Sequence, residues 1–361
     1  MTTQTGIKNP LHVNEITAEW LTLILREGGS IGKSRVTGFR ILPLGGVEGF
    51  MSSVVKAVPA YDVKEEGAPG SLVIKIEPES ESYRQAGEEL HAFTREIMFY
   101  RDVAPGVSMR LPRIYGSVME PPAYAIVMED LSALRPGDQI RGISEKEALG
   151  ITADIGKLHA RYWGSPELDG FEWIPYENPV WQDYEEKWPS FIGHFGGLLD
   201  RRAVELGEKL GRCAPWLAGE INSRPKTIVH SDLRADNLLF GKPGSDERIV
   251  ILDWQLAIRS MGAFDVARLT AGSEPVSERR KYHYEVVDTW FDTIVEDGVG
   301  GYTRDDAVRD YRLGLLLNLC FPVHFHVGSI GATGRVKKLV RAIVTRDFAA
   351  ALDFDAGSVL P

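Results

Sequence analysis

Residues 228–240 read IVHSDLRADNLLF and residues 248–255 read RIVILDWQ, with a short polar stretch between them. Two apolar runs, Ile228–Val229 and Ile249–Leu252, each carry acidic groups to the place where a strand would end. Asp232 and Asn237 stand five residues apart on one tight loop, and Asp253 follows 21 residues after Asp232. A carboxylate that can accept a hydroxyl proton, with an Asn and a second Asp that can share a divalent cation, suits phosphoryl transfer. Asp and Asn are also common turn residues, and this spacing alone would often mark a hairpin. The chemical reading is favoured by its context: Leu238-Leu239-Phe240 follows Asn237, and a second apolar run ends in Asp253.

His230, Asp232 and Asn237, followed by a strand ending in Asp253, match the catalytic-loop and metal-binding spacing of kinases. Such a chain needs a nucleotide-clamping loop, a cation on a strand and a helix carboxylate that steers the cation. Ile41–Leu44 reads as a strand entering a glycine-rich turn, and residues 54–58 as its return. Gly46 and Gly49 would let backbone N–H groups approach phosphate oxygens, and Ser52 or Ser53 would add a hydroxyl. A plain hairpin with a long loop explains that stretch equally well. Ser71–Ile76 (SLVIKI) is an apolar strand with Lys75 set inside it. A lysine there is usually an edge residue facing water; the functional reading makes it the phosphate cation. The spacing of Leu90, Phe93, Ile97 and Tyr100 predicts one helix over Tyr83–Arg101. Glu96, three residues after Phe93 and one before Ile97, lies near its buried face and is chosen as the partner of Lys75. Glu88 and Glu89 read as a solvated first turn. Tyr124–Leu131 (YAIVMEDL) is a strand breaking into an acidic turn, and Met128, Glu129 and Asp130 are placed at the connector that reads adenine.

In order, the glycine loop, VIKI, FTREIMFY, YAIVMEDL, IVHSDLRADNLLF and VILDWQ resemble the aminoglycoside phosphotransferase and choline kinase-like family. The branch they most resemble is the ecdysteroid kinase-like group, with its similar EGFMSS loop, REIMFY helix and DWQ in place of DFG. The resemblance runs from about Leu42 to about Leu269. It implies an α+β, two-lobed protein-kinase-like fold, with a β-rich nucleotide-binding lobe over residues 1–128 and a helical lobe over 129–361. It also implies ATP and Mg2+ as cofactors. Asp232 would be the catalytic base, Asn237 and Asp253 the metal ligands, and Lys75 with Glu96 the phosphate-positioning pair.

Ser231 stands where aminoglycoside kinases usually carry Gly. Arg234 could reach the γ-phosphate in a planar two-point contact or merely pair with Asp236, and the sequence leaves the two even. No A-P-E follows Asp253, which disfavours a protein substrate. In RSMGAFDVAR (residues 259–268), Asp265 is expected to cap a helix and to be structural.

The 361 residues suggest two domains, and 43% hydrophobic with 25% charged residues describes an ordinary globular chain. A net charge of −10 argues against a nucleic-acid partner. Two cysteines, Cys213 and Cys320, cannot staple a fold of this size and fit a reducing cytoplasm. Neither a signal peptide nor an apolar run of membrane-spanning length is seen. Residues 16–26 read as an amphipathic helix, residues 146–162 as another in which Asp154 and His159 serve packing, and residues 313–327 as a buried helix end.

The acceptor is expected to be a small molecule bearing a hydroxyl group. Trp163, Phe171, Trp173, Tyr176, Trp181, Tyr184, Trp188, Phe191 and Phe195 crowd into 33 residues. Most should be core, but a subset, with His324 and His326, is expected to wall an acceptor pocket for a moderately apolar alcohol. Acidic neighbours keep a cationic, aminoglycoside-like acceptor open, and the DLRADN spelling also resembles kinases of hydroxyacyl-CoA substrates. The rival of another class is a non-catalytic, pseudokinase-like module. Against it, Lys75, Asp232, Asn237 and Asp253 are all present.

Overall fold

Leu72–Ile76 forms a strand in which every residue is buried, so Lys75 sits on an interior strand and not on an edge. The computed structural model describes residues 7–44, 52–177, 179–242 and 249–361. The chain divides into one unit of Met1–Gly106, Leu111–Arg135 and Leu252–Gln255, and a second of Val107–Arg110, Pro136–Ile251 and Leu256–Pro361.

The first unit is built on β1 (Val36–Pro43), β2 (Ser53–Tyr61), β3 (Leu72–Ile76), β4 (Ile114–Glu120) and β5 (Ala123–Glu129). All neighbours are antiparallel, in the order β1-β2-β3-β5-β4. Side chains alternate across a strand with period two, and β3 uses both faces. Leu72, Ile74 and Ile76 pack with Trp20, Leu21, Ile24 and Leu25 of α1 (Ala18–Glu27). Thr17 starts α1 by accepting the Trp20 N–H at 3.1 Å. Val73 faces the other way, into a cluster with Ile97, Ile126 and Met128. Lys75 shares that second face by register.

The single helix expected over Tyr83–Arg101 is broken. α2 (Glu81–Glu89) ends at Leu90, His91 takes a left-handed conformation (φ 51°), and α3 (Ala92–Met98) runs into a π turn, Phe99–Val103. A non-glycine residue in that region interrupts any helical ladder, and the apolar spacing that predicted one helix continues across the break. Glu88 and Glu89 therefore close α2 and do not open a helix.

The second unit is helical: α4 (Glu145–Arg161), α5 (Tyr184–Phe195), α6 (Arg201–Ser223), α7 (Ala263–Ser273), α8 (Val276–Glu296), α9 (Arg304–His324) and α10 (Gly334–Asp353). Ser144 with Glu147, and Thr303 with Asp306, form capping boxes that start α4 and α9. Strand Thr227–Val229 pairs with Ile258–Ser260, and Leu238–Phe240 with Val250–Ile251, so residues 230–237 form a loop between two anchored strands. α7 packs on α9 at Gly314, where a Cβ would come within 2.9 Å of Ala267 Cβ. Among the described residues no helix is long and apolar enough to cross a membrane.

Candidate active site

In the first unit, Lys75 Nζ donates to Glu96 Oε2 and to Asp253 Oδ1, each at 2.6 Å. β3 delivers the cation, α3 the first carboxylate, and the turn after strand Val250–Ile251 the second. Burial opposes the Lys75 charge, but Asp253 and then Glu96 outweigh it and hold the ammonium above the ordinary lysine range. One cation between two carboxylates leaves a net negative charge. Burial first, and Asp253 in addition, push Glu96 up to about 7, with Lys75 offsetting part.

Asp253 has φ 68°, a left-handed conformation rare outside glycine, held by contacts on both sides. Its Oδ1 takes Lys75, its Oδ2 accepts from Gln255 Nε2 at 3.2 Å, and the next residue, Trp254, is buried and stacked on Phe99.

Asp130 also has a structural partner set. It accepts from Lys56 Nζ at 2.6 Å, from Ser71 Oγ, and from the Ser132 N–H at 3.0 Å. Burial alone would raise its carboxyl, but these donors hold it below the ordinary range. The Glu129 N–H donates to the Arg113 carbonyl at 2.8 Å, and Met128 packs in the cluster with Val73 and Ile97. Ser52 is half-buried just before β2, while Gly46 and Gly49 lie outside the described residues.

In the second unit the Asp232 carboxylate is gripped on both oxygens. Oδ1 accepts from Arg268 Nη2 at 2.8 Å; Oδ2 accepts from Arg234 Nε at 3.0 Å and Asn237 Nδ2 at 3.1 Å. Burial would raise its pKa, but Arg234 and Arg268 outweigh that and hold the carboxyl well below the usual range. Arg234 Nη1 also donates to Asp236 Oδ2 at 3.1 Å. The Asn237 amide nitrogen is spent on the Asp232 carbonyl, at 2.9 Å, and on the Asp232 side chain. That leaves the amide oxygen as the group able to meet a cation. Among the described residues no three His, Cys, Asp or Glu side chains form a metal cage.

The backbone of this loop is held by Asp265. Its carboxylate accepts the N–H groups of His230 at 2.7 Å and Ser231 at 2.8 Å. The expected helix cap is therefore corrected: Asp265 lies in the first turn of α7 but anchors the loop, and α7 has no side-chain cap. His159 lies 3.3 Å from Asp265 through Nε2 and accepts the Trp290 indole N–H at Nδ1, 3.0 Å, so its packing role holds. Ser231 has φ 61°, which explains why glycine suits that position. Its strain is offset by the Asp265 contact and by Oγ donating to the Leu256 carbonyl at 2.6 Å.

The sequence reading missed Arg268. The signal was present: Arg268 follows Asp265 by three residues, so one face of α7 delivers both. The aromatic segment divides. Tyr184, Trp188 and Phe191 stack in the core with Phe348, and Trp163 packs on Trp290 and Tyr302. Trp181 lines a narrow apolar cavity with Val180, Phe264, Leu317 and Phe321. His324 meets Asp183 at 2.8 Å, and the buried His326 meets Ser190 Oγ at 2.8 Å.

The model of the APH phosphotransferase enzyme family matches residues 58–299. No curated protein sequence matches significantly. Solved structures that share the fold include three of similar length. One is a Ralstonia eutropha JMP134 protein provisionally assigned as an aminoglycoside phosphotransferase: 14% identity, 94% of this chain and 98% of that one, TM-score 0.54. The second is a choline/ethanolamine kinase family protein from Mesorhizobium loti: 13% identity, 88% and 93% coverage, TM-score 0.51. The third is a microcompartment-associated aminopropanol kinase: 15% identity, 94% and 100% coverage, TM-score 0.50.

Proposed function

From the premise that this chain belongs to the phosphotransferase enzyme family, we propose that it transfers the γ-phosphate of ATP to a hydroxyl of a small organic molecule. What carries the reading is the Lys75 ammonium, 2.6 Å from both Glu96 and Asp253, since a disused site would lack one of the three. Lys75, steered by Glu96, holds the nucleotide phosphates; Gly46, Gly49 and Ser52 clamp them; the backbone of 128–130 meets the adenine. Asn237 and Asp253 each give an oxygen to Mg2+, which when bound neutralises charge on the phosphates. Asp232 is a carboxylate at any physiological pH and a weak base, so its main work is to orient the acceptor hydroxyl. Arg234, already beside Asp232, is the residue that meets the transferred phosphate.

The acceptor we favour is a moderately apolar alcohol. Phe325, Val327 and Ile330 are exposed just after α9, and Phe325 lies 6.4 Å, centroid to centroid, from Phe321. Phe321 lies under the Arg268 guanidinium that binds Asp232. An exposed apolar ring linked to Asp232 through Phe321 and Arg268 supports a ring-bearing or branched alcohol over a polyamine sugar. The choline/ethanolamine and aminopropanol kinase names of two fold relatives are consistent with a small alcohol acceptor. A net charge of −10 disfavours a nucleic-acid partner, and free Cys213 and Cys320 suit a cytoplasmic enzyme.

The test is a panel of alcohols, hydroxyacyl-CoA esters and aminoglycosides assayed for ADP release from Mg2+-ATP. An apolar alcohol should score, and should lose its signal in Asp232→Ala. Nucleotide binding with no ADP release from any compound would favour the non-catalytic module. Turnover confined to hydroxyacyl-CoA or aminoglycosides would overturn the acceptor class alone.

A further inference from the structure

Arg268 of α7 joins the loop of residues 230–237 to α9 with one guanidinium. Nη2 donates to Asp232 Oδ1 at 2.8 Å and Nη1 to Asn318 Oδ1 of α9 at 2.7 Å. The Phe321 ring lies beneath its central carbon at 4.5 Å, which fixes the guanidinium plane. The contact depends on how closely α7 and α9 approach at Gly314, because Asn318 stands one helical turn beyond that point. Arg268 is nearly buried, and Asp347, fully buried, is its further electrostatic neighbour beside Asn318. A long cation held this way has lost its rotamer freedom before any substrate binds.

The geometry points to Arg268, with Asn318 behind it, as the positioning residue that fixes the orientation of Asp232 toward the acceptor hydroxyl. This rests on the reading of Asp232 given above. The two oxygens of Asp232 are held from different sources: Oδ2 by Arg234 and Asn237 of its own loop, Oδ1 by a helix outside it. The loop contacts alone would leave the carboxylate free to turn with the loop. The α7 contact ties it to the same helix whose Asp265 holds the His230 and Ser231 backbone. One rigid element therefore sets both the path of the loop and the aim of its carboxylate. A second consequence concerns Arg234. With Arg268 supplying a permanent counter-charge, Arg234 can turn to a phosphate without stranding a half-buried carboxylate.

Arg268→Lys keeps the charge but cannot reach Asp232 and Asn318 together in one plane, and Asn318→Ala removes only the rear support. In Mg2+-ATP turnover, with water or any active alcohol as acceptor, Arg268→Lys should lower kcat about 10–100-fold. The KM for ATP should stay within about threefold, because the nucleotide groups are untouched. Asn318→Ala should give a smaller loss in the same parameter, and the double variant should be no worse than Arg268→Lys. Crystal structures of Asn318→Ala and Arg268→Lys give a readout independent of turnover: the Asp232 carboxylate should rotate toward Arg234. Wild-type kcat in Arg268→Lys, additive losses, or an unmoved Asp232 in both crystals would overturn the proposal. Full turnover in Asp232→Asn would instead sink the catalytic reading itself, a result the crystal comparison can distinguish.

Discussion

Trp254 stacks on Phe99 with ring centroids 3.8 Å apart and planes 6° from parallel. Phe99 directly follows α3, three residues after Glu96, and Trp254 directly follows Asp253. The stack and the Lys75 bridge therefore tie the same two segments together twice, once by apolar contact and once by charge. Trp254→Ala should destabilise the protein by about 3–5 kcal/mol, the cost of emptying a buried aromatic site. It should also weaken Mg2+-ATP binding, because Asp253 loses the neighbour that fixes its left-handed backbone. Phe99→Leu should do the same more mildly. Chemical denaturation and calorimetric ATP titration read the two effects; destabilisation with unchanged ATP affinity would separate the stack from the site.

Lys75→Ala leaves Glu96 buried beside Asp253 without a cation, so Mg2+-ATP affinity or kcat should fall by tenfold or more. Glu96→Ala should produce a weaker form of the same defect. Since one cation serves both carboxylates, the double variant should fall well short of the sum. Steady-state kinetics on the three variants decide it, and strict additivity would mean that the 2.6 Å contact has no functional weight.

Asp232→Asn should lower kcat by orders of magnitude while ATP binds almost as before. Asp253→Ala should instead abolish the Mg2+ dependence of nucleotide binding, because phosphate charge is left uncompensated. Titrating ATP with and without Mg2+ against each variant separates the two roles. Equal behaviour of the two variants would contradict the assignment.

Glu274, at the end of α7, is buried, and burial pushes it up to about 7, with the Tyr282 hydroxyl and the Arg279 and Arg346 charges offsetting only part. A carboxyl with a raised folded pKa binds its proton more tightly in the folded state. Its contribution is therefore complete below about pH 4.5 and is lost as pH rises through about 7. Glu274→Gln should be more stable than the parent at pH 8, by on the order of 1–3 kcal/mol, and lose that advantage near pH 5. Urea denaturation at the two pH values measures it; a pH-independent difference would place the charge of Glu274 in both states.

The residues that the structure gathers into two charged clusters were readable as candidates from the chain alone: Lys75 inside an apolar strand, Glu96 beside Ile97, and the Asp232–Asn237–Asp253 spacing. These signals are local, since strand periodicity, helical spacing and short loop distances are written within a few residues. The lysine strand could not be ranked as interior or edge from sequence, because that depends on β2 and β5 pairing with it on either side. The break at His91 was equally hidden: apolar spacing continues across it, and only packing of α3 beneath the sheet selects a left-handed residue there.

What the sequence determined by itself was the kind of chemistry and the kinase-like fold, because both rest on residue identity at fixed short intervals. The tertiary structure decided how that chemistry is held. Asp265 anchors a loop 34 and 35 residues away instead of capping its own helix, and Arg268 reaches Asp232 across 36 residues. Ser231 keeps a glycine-like conformation because Leu256 and Asp265 bind it. Such contacts arise from how closely α7 and α9 pack and where the strand pairs end, and no short window of sequence encodes those separations.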